Sequence, residues 1–165
     1  MRRIDRFART LAFVLLFLAW TDGGAAEFAA PTDDGWHVWQ VESSSSSRDF
    51  DDIYVRMQDG AVSKIEIHRS NCYERTRSPF TELGIVPNSA SVAWLKKFLG
   101  SDTRLSEGAI AAISVHAGDE AFTVLTNLLE DRSRGKKTRE QALFWLAHSG
   151  SDQAYAYLDR LLSSN

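Results

Sequence analysis

The sequence predicts a mainly α fold: a short α-solenoid of about two and a half helical repeats, preceded by a small antiparallel β-hairpin or sheet. Three observations carry that prediction. Between Thr138 and Leu162 the chain reads as two short helices folded back on each other. The same pattern recurs upstream, where Gly108 to Gly118 lies over Glu140 to Gly150 at a constant offset that sets His116 on His148. After one inserted residue, Ala121, Leu125, Leu128 and Leu129 fall on Ala154, Leu158, Leu161 and Leu162. Self-similarity at a period of roughly 20–50 residues marks stacked supersecondary units. The segments rich in branched and aromatic residues, as strands require, fall before residue 70.

Four segments follow in order. Residues 1–26 read as a signal peptide: Arg2, Arg3, Arg6 and Arg9 precede the apolar run Leu11–Trp20, and Gly24-Ala25-Ala26 offers a small-residue cleavage site. That apolar run is about half the ~20 residues a membrane span needs. Residues 27–70 are expected to hold a disordered leader and the small sheet. Trp36–Val41 is β-prone, whereas the serines Ser43–Ser47 read as a flexible connection. Asp59-Gly60 marks a hairpin. A three-residue loop, Gln58–Gly60, is expected there, because it pairs Ile53 with Ile65 and puts Ile53, Val55, Met57, Ile65 and Ile67 on one apolar face.

Residues 71–88 are expected to cross irregularly, since Pro79 and Pro87 break a helix. Residues 89–165 carry the repeats. Ser91–Leu99 is a half copy, and Thr138 with Gln141 forms a capping box that starts the next helix. Gly150 ends that helix by entering the left-handed conformation cheaply. Phe144 and Trp145 are expected to supply much of the core of the last repeat. The final helix carries a stripe broader than one packing surface needs, with Tyr155 and Leu162 beside Ala154, Tyr157, Leu158 and Leu161.

Arg139 with Ala142, the apolar run through Leu146, Gly150 at the turn, and Ala154, Leu158 and Leu161 on the second helix resemble a HEAT repeat. Gln-Ala-Leu-Phe-Trp-Leu resembles in particular the first helix of exported bacterial HEAT-repeat proteins. The resemblance covers about residues 89–163. It departs from the pattern at Thr138 and at Ser106-Glu107. It implies a protein-binding scaffold and lends no catalytic residue.

Charge and motif content point the same way. Without residues 1–26 the chain keeps 15 basic and 20 acidic residues, so nucleic acid, which is held by clustered cations, is not an expected partner. The single cysteine, Cys72, cannot form an internal disulfide and is expected to be buried. His116 and His148 sit in last-turn positions where an imidazole hydrogen-bonds free carbonyls and its cation suits the helix dipole. No phosphate loop, nucleophile elbow or His-Glu-x-x-His motif is present.

These features predict a non-enzymatic, exported scaffold, periplasmic or secreted, that binds another protein and needs no cofactor or metal. No membrane span is expected after signal cleavage. Thr123, Thr126, Asn127, Asp159 and Arg160 line the expected groove, and Tyr155 and Leu162 offer an open end, including to a second copy as a homodimer. The alternatives are a structural or accessory envelope-assembly subunit and a lyase-type HEAT protein that handles a cofactor.

Overall fold

The computed structural model of the chain describes residues 28–68, 79–100 and 103–163. The expected signal peptide and Cys72 lie outside the described residues. Strands β1 (Gly35–Glu42), β2 (Phe50–Gln58), β3 (Ala61–His68) and β4 (Phe80–Ile85) form one sheet in the order β3-β2-β1-β4. β1, β2 and β3 pair antiparallel, but β4 runs parallel to β1. Helices α1 (Asn88–Leu95), α2 (Thr103–Ser114), α3 (Asp119–Glu130), α4 (Lys136–His148) and α5 (Asp152–Ser163) follow, with a 3₁₀ turn at Lys96–Phe98.

This overturns the expected mainly α solenoid. A four-stranded mixed sheet precedes the five helices and forms a layer of its own. One apolar cluster runs from Trp39, Ile53, Val55 and Ile65 on the sheet into Leu95, Ile110, Ile113 and Leu125 on the helices. The molecule is therefore a sheet layer carrying a helical layer, with a common core between them. The missing strand was β4, in the stretch expected to cross irregularly. Pro79 and Pro87 exclude a helix there, but they flank Phe80–Ile85 without interrupting it, and an edge strand tolerates proline at its ends. Its pairing shifts register between Val38 and Gln40, where Gly84 takes φ +76° to let the strand bulge.

The β2–β3 turn also differs from expectation. It is a two-residue loop, with Gln58 opposite Ala61 and positive φ at both Asp59 (53°) and Gly60 (72°), the conformation that matches the twist of a hairpin. A bulge at Ser63 then moves the register by one, so that Val55 faces Ile65 and Ile53 faces Ile67. The expected apolar face thus forms by a different device. The Asp34 carboxylate accepts both turn amides, from Asp59 and Gly60, at 3.1 Å. Nor is all of the leader loose: Phe28 packs its ring against Trp39 at 5.2 Å and Trp94 at 6.1 Å.

The helical layer begins with α1 against β1 and α2 against β3. α2 approaches β3 so closely that a Cβ on Gly108 would lie 2.4 Å from the Ile65 carbonyl oxygen. Gly108→Ala should therefore destabilise the fold by about 1–2 kcal/mol: overpacking costs up to about 3 kcal/mol, offset by about 1 kcal/mol of helix propensity. Urea denaturation checks the sign, which would reverse if propensity alone governed this site.

α2–α3 and α4–α5 are successive helical hairpins whose turns place Gly118 and Gly150 at φ +99° and +75°. α4 packs against both α2 and α3. It starts at Lys136 after Gly135, with no side-chain cap, instead of at the expected capping box of Thr138. Ala142 and Leu146 are its buried residues, while Trp145 is half-buried and Phe144 exposed. The aromatic pair thus contributes less core than the sequence implied, because α2, α3 and α5, which pack on α4, leave Phe144 exposed.

Candidate functional site

The expected partner-binding residues fall on two separate surfaces. Thr123 and Asn127 are exposed on α3 and line a groove of about 450 Å³, floored by Leu99, Val124 and Leu128. Lys96 and Glu120 form an ion pair at 3.8 Å on its rim. Thr126 is turned inward instead. Its hydroxyl lies 3.0 Å from the Phe122 carbonyl and 3.1 Å from that of Thr123, so it donates along its own helix. Tyr155, Asp159, Arg160 and Leu162 are exposed on α5, away from that groove's lining. The basic stretch between α3 and α4 is largely paired internally: Arg134 with Asp131, Lys136 with Glu140 and Lys137 with Glu107.

The internal repeat gives the α5 surface its meaning. Ala112 and Phe144 are equivalent positions, yet Ala112 is fully buried and Phe144 is 49% exposed. Leu128 and Leu161 are likewise equivalent, at 5% and 40%, and Leu162 reaches 80%. Of the seven large exposed hydrophobic side chains among the described residues, five (Leu143, Phe144, Tyr155, Leu161 and Leu162) sit on α4 and α5. Exposed apolar side chains gathered on two consecutive helices are of the kind that marks an interaction surface. The Phe144 ring stacks on His148 at 4.0 Å, with Trp145 edge-on at 5.1 Å, so the patch includes an ordered aromatic group.

A polar junction ties the two layers together at the end of β1. The Asn88 side chain accepts the Glu42 amide at 3.0 Å and donates to the carbonyls of Glu42 and Ala117 at 3.0 and 2.9 Å. Next to it, Ser43 Oγ donates to Asp51 at 2.6 Å, and Arg48 pairs with the same carboxylate at 3.0 Å. The Ser44 amide donates to the Val115 carbonyl at 2.7 Å, and its hydroxyl lies 2.7 Å from the Ser149 carbonyl and 3.1 Å from that of Ser114. At least two of the serines expected to form a flexible connection are therefore structural fasteners. The two carbonyls that Ser44 meets lie 70 and 105 residues away, which no local pattern reveals.

His116 is the buried centre of this junction. Its Nδ1 lies 2.8 Å from the Ala112 carbonyl, so that nitrogen must carry the proton. Burial pushes its pKa from 6.5 down to about 4, against the opposing pull of two carbonyls and Asp51. The ring is thus neutral at pH 7, which corrects the expected cation. His148 makes the same bond, 2.7 Å to the Phe144 carbonyl, but on the surface. Among the described residues no cluster of three or more His, Cys, Asp or Glu is arranged to hold a metal ion. Also among them, no helix is long and apolar enough to cross a membrane.

Geometry therefore defines a sheet-and-helix domain that exposes apolar side chains on α4 and α5. Comparison of the chain with protein-family models, with curated proteins and with solved structures found no match.

Proposed function

We propose that this chain is an exported, non-enzymatic binding module that contacts another protein through the outer face of α4 and α5. The observation that carries this is the reversal of burial between equivalent positions, buried at Ala112 and Leu128 but open at Phe144 and Leu161. An apolar helical surface with an aromatic anchor is suited to a partner's own apolar face, where aromatic side chains supply most of the binding energy. Export rests on the basic, apolar and small-residue succession in residues 1–26.

The test is the double substitution Phe144→Glu and Leu162→Glu. It should leave the thermal midpoint nearly unchanged, because exposed substitutions stay within about 0.5 kcal/mol. Retention of partners from envelope extract should fall at least about tenfold. Unchanged retention on a folded double variant would remove this face from consideration. The same patch also supports self-association through α5, as in a structural or accessory envelope subunit. Light scattering at increasing concentration separates the two, since only self-association raises the mass of the purified chain.

A further inference from the structure

His116 Nε2 is a buried acceptor without a donor. The ring is 2% exposed, Nδ1 holds the single proton against the backbone, and among the described residues Nε2 has no hydrogen-bond partner. A small cavity of about 10 Å³ adjoins the ring, lined by apolar side chains of α3, α4 and α5 and by the hydroxyl-bearing residues Ser44, Ser114, Ser149 and Ser151.

Three of those hydroxyls have no proton to offer. Ser44 Oγ directs its proton to the Ser149 and Ser114 carbonyls, Ser114 Oγ donates to Ala111 at 2.7 Å and Ser149 Oγ to Leu146 at 2.9 Å. A buried polar group left unpaired is costly, and among the described residues no hydroxyl, that of Ser151 included, bonds to Nε2, so the geometry calls for a small donor from outside the chain. The cavity admits one water and nothing larger, since about 10–15 Å³ is the lower limit for a single molecule.

We infer that one buried water occupies this cavity, donating a hydrogen to His116 Nε2 and its other hydrogen to Ser44 Oγ. Ser44 has lone pairs free to accept while its own proton is held by backbone carbonyls. The water thereby links the turn after α2, which carries His116, to the serine segment after β1 and, through Ser44, to the turn after α4. It also explains how a neutral histidine rests in the core: both of its nitrogens are satisfied.

A crystal structure at a resolution that orders internal waters tests this directly. The expected result is a density peak about 2.7–3.2 Å from both Nε2 and Ser44 Oγ. In solution, histidine ¹⁵N spectra should show the Nδ1–H tautomer, with a long-lived water cross-peak to the His116 ring. An empty cavity, an Nε2–H tautomer, or a serine hydroxyl bonded directly to Nε2 would each overturn the inference. Ser44→Ala removes one of the two partners, so the peak should vanish or lose most of its occupancy while the tautomer persists. An unchanged peak in that variant would overturn the assigned Ser44 contact, and the wild-type measurement decides the question even if the variant fails to fold.

Discussion

Trp39→Ala is expected to lower the free energy of unfolding by about 3–5 kcal/mol, the range for emptying a buried aromatic site. Trp39 is 1% exposed and sits where the two layers meet. It lies edge-on to Trp94 at 5.5 Å and against Phe28 at 5.2 Å, and it donates its indole N–H to Ser91 Oγ at 2.9 Å. Truncation removes the packing and the ring pairs together, and it leaves the Ser91 hydroxyl buried without its donor. For a domain with a total of about 5–15 kcal/mol this is a large fraction. Trp39→Phe separates the contributions by keeping most of the volume, and should lose roughly 1–2 kcal/mol, mainly the hydrogen bond. Equal losses in the two variants, measured by urea titration, would show that packing at this ring is unimportant.

Acidification should weaken the fold through His116. In the unfolded chain this imidazole titrates near 6.5; in the folded protein burial lowers it to about 4. Between those values the unfolded state binds the extra proton, so stability rises with pH across the window. The contribution is complete above about pH 6.5 and is lost progressively as pH falls through it, levelling off below about 4. The gap corresponds to about 3 kcal/mol at most. Titratable neighbours are also present, notably Asp51 with its Ser43 and Arg48 partners, so the comparison needs a reference. Denaturant midpoints of the wild type and of His116→Phe, at pH 7 and pH 4.5, isolate the imidazole. The variant should show a clearly smaller drop, and an identical drop would assign the acid sensitivity to carboxylates.

What the sequence disclosed was mostly periodic. Repeated apolar spacing revealed the helices that bury Ala109, Ile113, Ala142 and Leu146, and alternation revealed the inward face of β2 and β3. Three features were hidden because their causes are not local. β4 exists through its pairing with β1, some 44 residues away, and its own six residues include a glycine and only moderate β propensity. The hairpin register depends on a bulge that spacing cannot distinguish from a longer loop. The serine segment is ordered by carbonyls contributed by α2 and by the turn beyond α4.

The candidate site was legible in part. Tyr155 and Leu162 stood out as an excess of apolar side chains on the last helix, and both are exposed. Phe144 was assigned inward because α4 is apolar on nearly every side from Ala142 to Ala147, a pattern that also describes a helix with one side left for a partner. The duplicated sequence could have helped, since Ala112 is replaced by a bulky ring at Phe144 in the later copy.

The bond from Ser44 to the Ser149 carbonyl bridges 105 positions of the chain. Closing so long a span comes late and slowly in folding. A polypeptide delivered amino end first, from a ribosome or through a translocation pore, therefore holds its sheet without this final clasp until the stretch around Ser149 has emerged. Truncation before that point should yield a species in which the serine segment after β1 exchanges more readily, while the β1 amides paired with β2 stay protected.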